Sequence, residues 1–327
     1  MITRMTTSMM ASSSLASVQR NFTRLADVNE QMSSGKRMKF ASDDPASSVS
    51  SMRLRKELSA TEQYSRNIDD AASWMQTADS AMLSVSDMYR KAKTTLIHSV
   101  NSANGPTSLR ALAADLEQQA QAIMSQTNAT YLGRTVFAGN SDKGSVFRPG
   151  VDVDGNRIFL PTETDEVTAK PVNRRINANT TLPANMDGNQ IFGTGTIKWT
   201  GTPATTIDTS NNPSAMNLLT EAAKILRTGT LEGDNVDKLL AIQNQLDKKA
   251  QDLYEGMSTL GARHKQVIEA QDNIVGDLQA VKKQLSDVEN VDIQAATIEM
   301  SLANMAYQAS LSSTQRVVQP SLLDYLR

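Results

Sequence analysis

Two histidines, no cysteine and a few closely spaced acids are what this chain offers for side-chain chemistry. Without cysteine there is no disulfide, no thiol nucleophile and no thiolate metal site. His264 falls at a core-type position of an apolar repeat, where packing explains it. His98 sits near the end of a helical stretch, where an imidazolium suits the helix dipole. No His-Glu-x-x-His occurs, which excludes a zincin-type peptidase. Asp152-x-Asp154-Gly155-Asn156 spaces its oxygens as a calcium loop does, but it lacks a third spaced ligand and the bidentate terminal Glu. The same residues make a hairpin turn. Gly193-Thr194-Gly195 is too short for a dinucleotide loop. Met5, Met9, Met10, Met32 and Met38 read as adaptable interface filler. The reading is therefore of no catalytic, cofactor-binding or metal-ligating residue and no cofactor.

What the sequence does carry is periodicity. From Leu239 to Val288 the core-type positions step by four and three: Leu239, Gln243, Leu246, Ala250, Leu253, Met257, Leu260, His264, Val267, Gln271, Ile274, Leu278, Val281, Leu285, Val288. After Glu289-Asn290-Val291-Asp292 the spacing resumes at Ile293, Thr297, Met300, Asn304, Tyr307, Leu311, Thr314 and Val318. Leu15, Val18, Phe22, Leu25, Val28 and Met32 form a similar stripe near the start. A 3.5-residue period keeps one seam turned to a partner helix. The partner of the C-terminal stripe is either the N-terminal one or another copy. Asn29, Gln243, Gln271 and Asn304 are polar seam positions, read as tolerated imperfection or as register control. The expected assembly residues are Leu15, Val18, Phe22, Leu25, Met32, Met300, Tyr307, Leu311, Val318, Leu322 and Leu323.

Composition agrees with thin helical packing. Hydrophobic residues make up 39% and aromatics 4%, too few aromatics for one thick core. The net charge of −2 gives no global field toward nucleic acid or an acidic membrane. Locally, Arg4, Arg20, Arg24, Lys36, Arg37 and Lys39 outweigh Asp27 and Glu30, as either a solvated face or a docking surface. No secretory h-region and no run long enough to span a membrane is visible.

Local signals place the elements. A first helix ends at Ser33-Ser34-Gly35, where glycine supplies a left-handed cap. Asp44 and Pro45 start a second helix as N-cap and first helical residue. It carries Leu54, Leu58, Tyr64, Ile68, Met75, Met82, Val85 and Leu96. A third helix presents Leu109, Leu112, Leu116, Ile123 and Thr127. Helical periodicity then disappears between Ser141 and Ser214. A hairpin is expected to turn on Asp154-Gly155, with a strand at Thr196–Thr200. Asn212-Pro213 is expected to cap the return to helix, Thr228-Gly229 to end it, and the heptad helix to begin near Asp234. The expected fold is mainly α with a small β-rich insertion, a nested helical rod or coiled coil formed by both termini. Its layers are 1–40 with 290–327, 41–140 with 212–289, and an outer insertion at 141–211.

Ser33-Ser34-Gly35-Lys36-Arg37 followed by Ala41-Ser42-Asp43-Asp44-Pro45-Ala46 resembles the N-terminal signature of bacterial flagellins and hook-associated proteins. The pattern continues through Met52-Arg53-Leu54, Asn67-Ile68-Asp69-Asp70-Ala71 and Thr77-Ala78-Asp79-Ser80-Ala81-Met82. At the other end, Leu285-Ser286-Asp287-Val288-Glu289-Asn290-Val291-Asp292 and Tyr307-Gln308-Ala309-Ser310-Leu311 resemble it too. Tyr131 to Gly139, with Phe137-Ala138-Gly139, and Ser321 to Leu326 resemble the hook–filament junction branch of the family. One departure is Val146-Phe147-Arg148-Pro149, where a Pro-Phe pair is usual.

The resemblance implies a flagellin-like fold whose terminal helices form an inner layer. It implies an extracellular structural subunit exported without a cleaved signal peptide. Its implied partners are identical copies in a ring, hook-associated protein 1, flagellin and a cytosolic export chaperone, with neither nucleic acid nor membrane. A short flagellin is the alternative. An enzyme on this scaffold would need a nucleophile, ligand set or phosphate loop in Ser141–Ser214, and none is found. A coiled-coil signalling protein would not need Asp43-Asp44-Pro45 or the β insertion.

Overall fold

The computed structural model describes residues 7–100, 105–140, 144–152, 155–162 and 171–318. Two compact units emerge: residues up to Glu62 together with those from Gly276 on, and Gln63–Val275. The boundaries fall inside two long helices, α2 (Pro45–Ser99) and α6 (Asp234–Glu289).

The first unit contains α1 (Thr7–Ser34), the start of α2, the end of α6, and α7 (Ile293–Val318). Gly35 takes φ +67° and stops α1, the left-handed conformation that a Cβ resists. Asp44 Oδ1 accepts a hydrogen bond from the Ser47 amide at 3.1 Å. Pro45 occupies the first helical position, where its missing N–H orphans nothing.

In the second unit, α2 and α6 are joined side by side through Lys93–Asp247, Ser86–Tyr254 and Asp69–Gln271. The heptad of α6 resolves into two grades. Leu239, Leu246, Leu253, Leu260, Val267 and Ile274 are all buried, while Gln243, Ala250, Met257 and His264 are half-buried. Gln271 is exposed and donates to Asp69 at 3.0 Å. Helices α3 (Pro106–Thr127) and α5 (Ala215–Arg227) pack on each other. α3 buries Leu109, Ala113, Leu116, Ala120, Ile123 and Thr127.

Among the described residues between α3 and α5 lie four antiparallel two-stranded ribbons, two of them β1 (Thr130–Tyr131) with β2 (Arg134–Thr135) and β5 (Asn173–Arg175) with β6 (Thr181–Pro183), and the short α4 (Gly188–Phe192). β3 (Phe147–Val151) pairs with β4 (Arg157–Pro161). The chain turns between Asp152 and Asn156, with Gly155 at φ +78°. The expected strand at Thr196–Thr200 shortens to β7 (Trp199–Thr200), paired with β8 (Thr206–Ile207). Asn212-Pro213 does not cap α5. Ser214 does, its Oγ accepting from the Asn217 amide at 3.2 Å, because Asn212 already closes a 3-10 turn at φ +44°.

The insertion is firmly packed on the helices of its own unit. Phe147, Phe159 and Phe192 are fully buried and belong to the same apolar cluster as Leu116, Ile123, Leu218 and Leu226 of the helices. Buried amides tie strand to helix. Asn217 of α5 donates to Phe159 O at 3.0 Å and accepts from its amide at 2.8 Å. Asn128 accepts from the Val146 and Phe147 amides and donates to Phe147 O at 2.8 Å. The phenylalanines that complete the core of α3 and α5 come from the insertion.

Phe159→Ala should therefore cost ~3–5 kcal/mol and Asn217→Ala ~1–3 kcal/mol. Both lower the denaturant midpoint of the second unit. Replacing residues 141–214 with a Gly/Ser linker should leave α3 and α5 without a cooperative transition. A linker variant that melts like the parent would show that the helices need no insertion.

Candidate assembly interface

The two segments between helices in the first unit lock together. The Val291 amide donates to Gly35 O at 3.1 Å, and the Arg37 amide to Glu289 O at 2.8 Å. Lys36 and Asn290 form an antiparallel bridge. Side chains repeat the connection. Glu289 is buried and accepts from Ser51 Oγ at 2.5 Å, from Arg55 Nε at 2.6 Å and Nη2 at 2.9 Å, and from Lys36 Nζ at 3.0 Å. Lys36 Nζ also reaches Asn290 Oδ1 at 2.8 Å. The Arg55 hydrogen bond, aided by Ser51 and Lys36, holds the Glu289 carboxyl at a pKa of about 2 against the desolvation that opposes it. The same bond raises Arg55.

The paired acids Asp43 and Asp44 have separate tasks. Asp43 Oδ2 accepts from the Lys39 and Phe40 amides at 3.2 and 2.8 Å, closing the loop on itself. Asp44 caps α2 through one oxygen and meets Arg37 Nη2 at 3.1 Å through the other. The Ser47 hydrogen bonds lower its pKa. Ser34 Oγ accepts from the Lys36 amide at 3.2 Å, fixing the exit from Gly35. These residues build the corner between α1 and α2.

From that corner α1 and α7 run back antiparallel. Asn21 Nδ2 donates to Ala306 O at 3.3 Å, Arg24 pairs with Glu299 at 2.9 Å, and the Phe22 and Tyr307 rings lie 5.7 Å apart. On α1 the inward positions are Ser14, Val18, Asn21, Leu25, Val28 and Met32. On α7 they are Ala296, Met300, Ala303, Tyr307, Ser310 and Thr314. The heptad period holds, but half of the expected α7 seam is displaced by one residue. Ile293, Thr297, Asn304 and Leu311 face outward, because alanines at 296 and 303 let the helices approach. Leu15 and Phe22 are also exposed, at 64% and 56%. Ile298, Leu302 and Met305 join them as large apolar side chains in solvent.

Of the expected assembly residues, Val18, Leu25, Met32, Met300 and Tyr307 lie in the α1–α7 seam, Phe22 lies at its exposed edge with its ring against Tyr307, and Leu15 and Leu311 lie outside it. Val318 ends α7, while Leu322 and Leu323 lie outside the described residues. Asn29 and Asn304 are exposed, and the amide that does cross the seam is Asn21. Glu289, Ser51 and Arg55 were not singled out as a site. Their only local signal is an acid directly following the last apolar heptad position, Val288.

The segment Phe137-Ala138-Gly139 belongs to the second unit. Phe137 is buried with its ring 5.2 Å from Phe192. Trp74 Nε1 donates to Val136 O at 3.2 Å, and the Gly188 amide to Phe137 O at 3.1 Å. Its part is to hold the core. His98 is exposed on the last turn of α2, and His264 is half-buried in α6.

A model of the bacterial flagellin N-terminal helical region matches residues 5–142, and one of the C-terminal helical region matches residues 243–326. The chain belongs to the bacterial flagellin family. Polar flagellin F of Vibrio parahaemolyticus is 30% identical over 136 residues, 39% of this chain and 35% of that protein. A Clostridium tyrobutyricum flagellin is 27% identical over 42% of this chain and 37% of its own length. The chain thus spans little more than a third of these two flagellins. Flagellar hook-associated protein 3 of Salmonella typhimurium is 23% identical over 242 residues, 72% of this chain and 70% of that protein. The fold matches the crystal structure of FlgL from Xanthomonas campestris with a TM-score of 0.57 at 14% identity, covering 71% of this chain and 99% of that one. Hook-associated protein 3 from Legionella pneumophila gives 0.57 at 11% identity, over 72% and 98% of the two chains. The mainly helical, flagellin-like architecture is that of these neighbours.

The Glu289 corner generates a pH dependence. Its folded pKa of about 2 lies below its ordinary value of 4.5. The stabilisation is therefore complete above about 4.5 and is lost as pH falls toward 2. Glu289→Gln should remove it, costing ~1–3 kcal/mol after allowance for the exposed Arg55 and Lys36. Circular-dichroism melts between pH 6 and 2 would show the parent losing an increment that the variant lacks. Parallel curves would rule out the corner as their source.

Proposed function

We propose that this chain is a structural subunit of the flagellar hook–filament junction, of the hook-associated protein 3 type. The observation that supports the reading best is extent. Similarity to the Salmonella protein runs over 72% of this chain and 70% of that one, whereas the first two flagellins match over about two fifths of the chain. Nothing in the role requires catalysis. The exposed residues Leu15, Phe22 and Leu311 serve contacts between subunits, while Val18, Leu25, Met32, Met300 and Tyr307 set the hairpin that presents them. Burying such side chains contributes ~1.5–3 kcal/mol each, repeated in every copy of a ring. Residues 1–40 with 290–327 act as the coiled-coil layer through which subunits assemble. Hook-associated protein 1 lies on one side and flagellin on the other, and a cytosolic chaperone accompanies export to the cell exterior.

A filament subunit is the second reading, favoured by the 30% identity to polar flagellin F. Deleting the gene separates the two. Cells that keep hooks, lose filaments and release flagellin into the medium fit the junction role. Cells that keep normal filaments reject it, and filament loss without released flagellin supports the second reading.

Leu311→Asp and Phe22→Asp should leave the melt of the second unit unchanged and abolish swimming. Swarm diameter on soft agar and hook isolation check this. Normal incorporation of both variants would remove these residues from the interface.

A further inference from the structure

Lysine is rarely buried in full, and Lys249 of α6 is. Its side chain is 4% exposed, and in the helix it stands between Leu246 and Leu253, both buried. A methionine would fill such a place without taking an ammonium out of water. Lys249 Nζ donates to Asn212 Oδ1 at 2.6 Å and to Asp252 Oδ2 at 2.7 Å. Asp252 follows at i+3 on the same helix. Asn212 comes from the end of the insertion, 37 positions earlier. One buried amine thus touches a carboxamide and a carboxylate, all within the second unit.

Asn212 is held for that meeting. It takes the left-handed conformation, φ +44° and ψ +63°, which asparagine tolerates better than most residues with a side chain. Its backbone amide donates to Thr209 O at 3.1 Å, and its carbonyl accepts from the Thr194 and Gly195 amides, each at 3.0 Å. The next residue is Pro213. An asparagine ordinarily loses its side-chain amide to attack by the following backbone nitrogen, and a proline nitrogen has no proton to give up in that reaction. The Asn212 amide carbon is therefore left for another nucleophile. It lies one C=O bond, about 1.2 Å, beyond the oxygen that Lys249 already touches. That is near the ~3–3.5 Å at which reacting atoms are poised.

We propose that Lys249 and Asn212 join in an isopeptide bond within the chain, with Asp252 carrying the protons. Asp252 takes one proton from the Lys249 ammonium. The freed lone pair attacks Cγ of Asn212 and forms the Nζ–Cγ bond. Asp252 passes its proton to Nδ2 and accepts a second from Nζ as the Cγ–Nδ2 bond breaks. Ammonia leaves and takes the last proton from Asp252, which ends as a carboxylate. No oxidant, reductant or other reactant enters. The Asp252 side chain is 42% exposed, which gives the ammonia a way out. The reaction runs once per molecule, so it needs no fast turnover, only the proximity that folding supplies. It ties the end of the insertion to α6 in a chain that has no cysteine for the purpose. It holds whatever the subunit's place in the flagellum.

The intact mass of the purified, folded full chain, after incubation at neutral pH, tests this. One ammonia is expected to be missing, and a tryptic digest should contain a branched peptide joining Lys249 to Asn212. Lys249→Met and Asn212→Ala should show full mass and no branched peptide. Asp252→Asn should lower the yield of branched peptide at least tenfold while its circular-dichroism spectrum stays that of the folded chain. On a denaturing gel the linked parent should run ahead of the unlinked variants. A parent of full mass would overturn the proposal, as would a missing ammonia that maps to any other residue. Undiminished branched peptide in Asp252→Asn would overturn the proton relay. Should a variant fail to fold, the mass and digest of the parent still decide whether the bond exists.

Discussion

The first unit depends on one buried carboxylate. Glu289 sits where α6 ends, and its partners lie 253, 238 and 234 positions earlier in the chain. A buried acid costs several kcal/mol unless it is paired and hydrogen-bonded, and Glu289 is both. Removing any one partner leaves the charge under-satisfied, so Lys36, Ser51 and Arg55 constrain one another as well as the acid. Around that point the backbone bridges of Gly35, Lys36 and Arg37 to Glu289, Asn290 and Val291 fix the directions in which α1 leaves and α7 returns. Asp43 and Asp44 then set the start of α2 from the same corner.

With the corner fixed, apolar surface is divided in an uneven way. The second unit buries an aromatic core that includes Phe147, Phe159 and Phe192, while Leu83, Ile97, Leu132 and Tyr254 stay exposed. The α1–α7 pair fully buries Val28, Ala296 and Ala303, half-buries Leu25, Met300 and Tyr307, and leaves Leu15, Phe22, Leu302 and Met305 exposed. Isolated helix pairs of this kind gain little from their own seam. Their large side chains gain most when other surfaces arrive. The larger buried core lies in the second unit, and exposed apolar side chains occur in both.

Much of this was legible in the sequence because it is local. Gly35, Asp44-Pro45, Gly155 and Gly229 act within a turn of themselves, and the buried heptad of α6 announces its own period. The phase of α7 was not legible, since alanine and serine carry no contrast against a pattern sought in leucine and methionine. Ile293 and Leu311 attracted the stripe, while Ala296 and Ala303 took the seam. The amides of Asn128 and Asn217 were equally hidden. Their partners are backbone groups of strands, and no side-chain type marks a backbone group. The insertion looked separable for the same reason: composition shows threonine, proline and glycine, whereas its few phenylalanines do the packing. Glu289 lay inside a recognised motif, yet charge partners more than two hundred residues away leave no spacing to read.

The small-residue seam has a mechanical consequence. Interdigitated leucines give a helix pair a deeply corrugated track, so any lengthwise shift must lift many side chains at once. On α7 the small residues at 296, 303 and 310 alternate with Met300, Tyr307 and Thr314, so only part of the track is shallow. The axial register of the hairpin then rests on a few discrete pins: Asn21 to Ala306, Arg24 to Glu299, and the Lys36–Asn290 bridge at its closed end. A pull along the pair therefore loads these polar contacts first, before it strains the apolar core of the second unit.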